Sequence, residues 1–321
     1  MLTPYTKPHL NFADQLTLLM NRGLVVTDQP KAIEHLQRIG YGRLAPYWQP
    51  FQKIAFDSSD PGQKRRLDAF QGGAEFRHAV DLYVFDKKLR LIFLDALERI
   101  EVALRVDLAH ALGRRNPWAH RDSVYLDSNR ADMVPHHSQQ TRHQHWLAHA
   151  DRTLGRARDD WYREFTATYS SPVPIWMAVE AWDFGTLSKL LEMSHLSDRF
   201  AIASRYGLLP DTLVSWVKAL TFVRNICAHH GRLWNTGIVN QPKVPKTTEA
   251  PGVAHIRSAF VQRSKIYGSA AAASHLVKRI NPHTSWSTRM KNHWLHFPEM
   301  PFASASHGGF LPKWDIETIW T

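Results

Sequence analysis

Apolar positions recur at three- and four-residue steps over most of the chain, which is the period of helices that bury one face. From about residue 74 the rule runs without a break through Phe85, Leu89, Ile92, Phe93, Ala96, Ile100, Ala103, Leu104 and Leu108, predicting one long amphipathic helix. Upstream, Asn11 with Asp14 three residues on starts a short helix through Leu19 that Gly23 closes. Asp28 and Pro30 start a second, which carries Ala32, Ile33, Leu36 and Ile39 and stops by Gly40. The aromatic run RLAPYWQPFQ, broken by prolines, reads as an ordered loop packed on the core, and the polar residues 57–73 as a linker. Downstream, helices are expected from Pro174 over IWMAVEAW, from a Thr186 cap over LSKLLEM, from Ser197 to Tyr206, and from Pro210 and Asp211 onward. A last helical region lies at about 253–280, where the alanine-rich residues 268–274 favour helix. Beyond Asn281 the chain sets Trp286, Trp294, Trp314 and Trp320 among prolines as packing anchors. The predicted class is all-α: a multi-helix bundle with an N-terminal helical segment (1–70), a central helical domain (74–245) and a loop-rich, aromatic tail (246–321) on the same core.

One helix departs from simple amphipathicity. On a net of about 100° per residue, Leu213, Trp216, Val217, Leu220, Val223 and Cys227 form a broad apolar stripe, and Ala219, Phe222 and Ile226 another. A helix apolar over most of its circumference is buried. Through it runs a narrow polar line, Lys218, Thr221, Asn225, His229 and Arg232, with Arg224 at its edge. Such a line must face a partner or a cleft.

Arg224 and His229 are about 140° apart on that net, but a guanidinium on its long stem can reach back beside the imidazole. An imidazole titrates near neutrality and moves protons. A guanidinium stays charged and matches phosphate geometry. Neither is a ligand for Mg²⁺, so the pair suits metal-independent phosphodiester cleavage, with the RNA 2′-hydroxyl as nucleophile and no cofactor. In this scheme Arg224 stabilises the phosphorane, His229 is the acid/base, and Asn225, four residues before His229, orients it or the substrate. Lys218, His230 and Arg232 are the expected RNA contacts.

Charge supports a polyanionic partner. The 321 residues carry 40 Lys and Arg against 29 Asp and Glu, a formal net charge of +11 that is not confined to a tail. Cys227 is the single cysteine, so no intramolecular disulfide forms and a reducing cytoplasm is the expected compartment. The N-terminal residues MLTPYTKPHLNF lack an apolar signal core, and no run approaches the roughly 18 apolar residues of a spanning helix. No membrane partner is expected.

The residues 224–229, RNICAH, resemble the R-N-x-x-A-H form of the arginine-x4-histidine motif of HEPN ribonucleases. Longer segments resemble the Abi family of bacterial abortive-infection proteins, of the AbiD/AbiF type. They are Lys7-Pro8-His9-Leu10 with Phe12 and Gln15, Arg22-Gly23-Leu24, and Ile39-Gly40-Tyr41-Gly42-Arg43-Leu44 with Tyr47-Trp48 and Pro50-Phe51. Phe85-Asp86-Lys87-Lys88-Leu89-Arg90 running into Glu98-Arg99-Ile100-Glu101 fits as well, as do Pro174-Ile175-Trp176 and Phe184-Gly185-Thr186-Leu187. His229-His230-Gly231-Arg232-Leu233-Trp234-Asn235 and the closing Gly309-Phe310-Leu311-Pro312-Lys313-Trp314 with Trp320 complete the resemblance. It implies a helical bundle of HEPN type, a toxic endoribonuclease acting in phage defence, a homodimer that juxtaposes two motifs, and restraint by an antitoxin such as a small structured RNA. The alternative is a non-catalytic RNA-binding or phage-sensing module.

Competing patterns are present. Residues 115–120, RNPWAH, repeat the same letters, but Pro117 argues against a continuous helix there. His145 and His149 share a helix face among further histidines; a basic solvated face is the plainest reading, RNA contact the next and zinc the least favoured. Glu180 and Asp183 are candidates to orient Arg224 or His229, while Asp95–Arg99 and Glu101–Arg105 read as pairs on a solvated flank. Cys227 with His230 as a nucleophilic pair is disfavoured, because a thiol on the apolar stripe is desolvated.

Overall fold

Phe76–Gly113 is a continuous helix of 38 residues, and the bundle is arranged on it. The computed structural model describes residues 8–56 and 64–321 together with Pro4 and Thr6; Lys7 and residues 57–63 of the expected linker lie outside the described residues. In chain order, α1 (Phe12–Asn21), α2 (Gln29–Ile39) and α3 (Tyr41–Trp48) precede an antiparallel hairpin of β1 (Gln52–Phe56) and β2 (Lys64–Phe70). Then come α4 (Phe76–Gly113), α5 (Ser128–Ala131), α6 (Arg142–Leu154), α7 (Asp160–Thr168), α8 (Ile175–Ala178), α9 (Phe184–Met193), α10 (Leu196–Arg205) and α11 (Pro210–Ala228). After a long loop follow α12 (Phe260–Ser264), α13 (Ile266–Ile280) and α14 (Trp286–Leu295). Helices α3, α8, α9, α10, α11, α13 and α14 all pack on α4, and α11 is also held by α9, α10 and α13. The all-α class holds, with the small hairpin as its exception.

The short-range signals act as expected at the N-terminus. Asn11 Oδ1 accepts the Asp14 N–H at 2.9 Å and Asp28 Oδ1 that of Lys31 at 2.9 Å. Gly40, at φ +91°, ends α2 in a conformation that side chains rarely adopt.

Four expectations are corrected. The run RLAPYWQPFQ is not a loop: it forms α3 and a 3-10 turn, Gln49–Phe51. An interior proline costs about 3 kcal/mol, whereas burying large side chains such as Leu44, Tyr47 and Trp48 contributes about 1.5–3 kcal/mol each, so packing on α4 outweighs Pro46. The described part of the expected linker is strand β2, whose Leu67, Ala69 and Phe70 turn inward while Lys64, Arg65, Arg66 and Asp68 stay exposed. Helix α9 begins a turn before Thr186, because Asp183 Oδ1 takes the Thr186 N–H at 2.7 Å as its N-cap. Asp95–Arg99 is a tertiary clamp rather than a solvated flank: Arg99 also donates to Thr284 Oγ1, and Arg289 of α14 pairs with Asp95.

The C-terminal third closes the core. In α13 every residue from Ile266 to Ser274 is buried, the alanines allowing close approach to α4. Trp286, Trp294, Trp314 and Trp320 are all buried in the core. Trp286 Nε1 donates to the Ile92 carbonyl at 2.7 Å, and Phe310 stacks on Trp294 with ring centroids 3.8 Å apart.

Candidate active site at the end of α11

The apolar stripe of α11 is buried as predicted: Leu213, Trp216, Val217, Leu220, Val223 and Cys227 are at most 1% exposed. The helix itself ends earlier than expected, at Ala228. The Gly231 N–H bonds the Ile226 carbonyl at 2.8 Å and the His230 N–H that of Cys227 at 3.1 Å, with His230 at φ +57°. This is a Schellman stop with histidine where glycine is usual. His229 is therefore the C-cap, one turn after Asn225, and its ring is exposed.

The polar line consequently stops short of Arg232. That residue is turned away from the helix axis, and its Nη1 donates to the Pro46 carbonyl at 2.7 Å and to Gln49 Oε1 at 3.0 Å. It lies beside a polar hollow with Arg66, Gln71 and His307. His230 is exposed, and its carbonyl accepts from Arg43.

The loop after α11 is bound to the bundle by a buried network. Asp86, fully buried on α4, accepts from Leu233 N at 3.0 Å, Trp234 N at 2.7 Å, Tyr47 Oη at 2.7 Å and Arg90 Nη1 at 2.6 Å. Arg90 in turn donates to the Gly231 carbonyl at 3.0 Å. Burial pushes the Asp86 carboxyl up, against the Tyr47 hydrogen bond, the Arg90 charge and the two backbone N–H groups. Sequence reasoning missed this anchor. Its signal was an acid and an arginine four residues apart on the apolar side of a core helix.

Arg224 is partly buried, and its Nε lies 4.0 Å from Glu101 Oε2 on α4. Glu101 is shared with Arg105 at 2.7 Å, and Arg105 also donates to the Trp182 carbonyl at 3.0 Å. The Glu101–Arg105 pair is thus not a solvated flank; it supports the motif arginine. Burial raises the Glu101 carboxyl, opposed by Arg105 and Arg224 and reinforced by Asp183 and Glu98. For Asp183, burial pushes upward but is overcome by the hydrogen bonds from Thr186 and the charges of His149 and Arg224, leaving it below the usual carboxylate range. Glu180 instead lies 3.5 Å from Arg105.

The rest of the polar line does face a cleft. Lys218, Thr221 and Asn225 form one wall of a cavity of about 670 Å³ between α6, α9 and α11, whose other walls include Arg142, His145, His149, Asp183, Lys189 and Glu192. Glu192 is paired with Arg142 at 2.8 Å, which leaves Lys189 and Lys218 without an acidic partner among the described residues. The histidines of α6 thus meet the motif helix across one basic cleft, a meeting that sequence separation hid.

The competing patterns are accounted for. Arg115 pairs with Asp198 at 2.6 Å, and His120 is buried against Trp182, where burial pushes its imidazole down to about 3. Burial pushes the Cys227 thiol up to about 12, which keeps it from acting as a nucleophile. No three His, Cys, Asp or Glu side chains are grouped to hold a metal ion among the described residues, so His145 and His149 lack a third ligand there.

The fold and the site define a predominantly helical bundle in which a partly buried arginine and an exposed histidine end α11 next to a cleft lined by Lys189 and Lys218. The family model described as Abi-like protein matches residues 34–235, and the chain belongs to that family. Membership points to abortive infection, a form of phage defence. No curated protein and no solved structure matches. None of the described helices is long and apolar enough to cross a membrane.

Proposed function

We propose that the chain is a cytoplasmic phage-defence toxin acting as a metal-independent endoribonuclease of HEPN type. The observation that carries this reading is the end of α11: His229 is exposed at the helix terminus, and Arg224, five residues earlier, lies by Glu101 and next to Asn225, which lines a cleft whose Lys189 and Lys218 have no acidic partner among the described residues. Arg224 stabilises the negative charge gathering on phosphorus, and His229 moves a proton as the 2′-oxygen attacks. Asn225, on the cleft wall, positions substrate, with Lys218 and the exposed His230 on flanking phosphates. Arg232 adds positive charge from the neighbouring hollow. The products are a 2′,3′-cyclic phosphate and a 5′-hydroxyl.

A homodimer is part of the proposal. Val102, Val106 and Trp176 are each about half exposed, and Val106 and Trp176 border the groove that holds Arg105 and Glu180. A second copy seated there would cover this apolar row beside the residues that hold Arg224. Restraint by an antitoxin, such as a structured RNA bound through phosphate contacts, would weaken steeply with salt.

The test is cleavage of labelled RNA in EDTA by wild-type, Arg224→Ala and His229→Ala protein, with analysis of product ends. Cyclic-phosphate ends that vanish in both variants support the ribonuclease. RNA binding by all three proteins without cleavage or toxicity on expression would favour a binding or phage-sensing module.

A further inference from the structure

Cleavage through the 2′-hydroxyl needs one group to take its proton and another to give a proton to the departing 5′-oxygen. The motif supplies one imidazole. It stands one turn beyond Asn225, which lines the cleft between α6, α9 and α11; two more imidazoles, His145 and His149, one turn apart on α6, line that cleft across from Lys218, Thr221 and Asn225 of α11. The ring of His145 is engaged, with Nε2 2.6 Å from Ser138 Oγ. That of His149 is exposed and makes no hydrogen bond among the described residues; only its carbonyl is used, by Thr153. Asp183, the N-cap of α9, lines the same cleft as His149 and feels the charges of both His149 and Arg224.

We propose that His149 is the second proton-transfer residue, and that the cleft between α6, α9 and α11 takes the RNA strand across the scissile phosphate, so that a single chain carries both imidazoles. The inference rests on the ribonuclease reading. In the step, one imidazole accepts the 2′-hydroxyl proton as the 2′-oxygen bonds to phosphorus. The bond from phosphorus to the 5′-oxygen breaks, and the other imidazolium protonates that oxygen. Each imidazole ends in the other's starting state, and exchange with water resets both. Lys189 and Lys218 sit where neighbouring phosphates of a strand in the cleft would fall. The charged and titratable groups that line the cleft with His149 are Arg142 and His145 on its own helix, Asp183, Lys189 and Glu192 on α9, and Lys218 on α11, with Arg224 beyond Asp183.

The experiment is single-turnover cleavage of a synthetic RNA across the neutral pH range by wild-type, His149→Gln, His149→Ala and His229→Gln protein, with melting temperature and RNA affinity measured for each. The His149 variants are expected to keep both stability and affinity, to lose about 10²–10⁴-fold in rate, and to lose one limb of the bell-shaped profile. His229→Gln loses the other limb. Rates within a few-fold of wild type, or a slower rate with both limbs kept, would overturn the assignment. Mixing the two inactive variants should restore nothing; recovered activity would overturn the single-chain arrangement. No cleavage by wild-type protein would instead remove the ribonuclease reading and this inference with it.

Discussion

The Asp86 carboxylate, fully buried on α4, accepts the main-chain N–H of Trp234 at 2.7 Å. Four residues separate Trp234 from His229, and among them the Gly231 carbonyl accepts from Arg90. The exposed histidine is therefore positioned from behind by an ion pair it never touches.

Removing that anchor is expected to unfold more than it disables. Breaking a buried pair on one side costs about 3–5 kcal/mol, so Asp86→Ala should lower the denaturant midpoint by that equivalent. Asp86→Asn should also destabilise, because its amide NH₂ would replace an oxygen that accepts. A variant with an unchanged midpoint would show the network to be incidental.

Glu101→Gln tests the support of Arg224. The pair is partly exposed and its loss should change stability by less than about 1 kcal/mol. A guanidinium misplaced by about 1 Å can cost 10²-fold in rate, so single-turnover cleavage should fall while RNA affinity is retained.

Arg224→Lys is not a conservative change at this position. Lysine offers one point charge in place of a planar fork, and loss of a donor aimed at developing charge costs about 10²–10³-fold. Cleavage near the wild-type rate would place Arg224 outside the chemistry.

His230→Gly should stabilise the protein. A side chain in the left-handed region costs about 1–2 kcal/mol relative to glycine, and His230 sits at φ +57°. Thermal melting should therefore rise by a few degrees. A simultaneous fall in RNA affinity, with a shallower salt dependence, would assign its imidazole to phosphate contact.

Acid should unfold the protein through buried neutral histidines. Burial pushes His120 down to about 3 and His293, stacked on Phe85, down to about 4. The unfolded chain binds these protons near pH 6.5 and the folded chain does not. Their contribution is fully present above about pH 6.5 and is lost progressively below it, toward the folded values. Replacing His293 by Phe should flatten the fall of unfolding free energy between about pH 6.5 and 4.

The chain's own pattern was enough for the elements whose signals are local. Helix period marked α4 and α11, and side-chain caps marked α1 and α2, because both depend on residues within one or two turns. The motif letters and the narrow polar line were legible for the same reason. Where long-range burial outweighed local preference, the reading failed: Pro46 lies inside a helix, and the polar residues 64–70 form a strand.

The site divides along the same line. Sequence alone determined that Arg224, Asn225 and His229 share the last turns of a buried helix, since their spacing and its apolar stripes are fixed by covalent order and helical period. Only the tertiary structure decided that Glu101 lies beside Arg224, that Asp86 anchors the exit loop, and that α6 brings His149 to the cleft lined by Lys218, Thr221 and Asn225. Those meetings join residues distant along the chain, and what sets them is how helices of given lengths pack around α4, which no local pattern encodes.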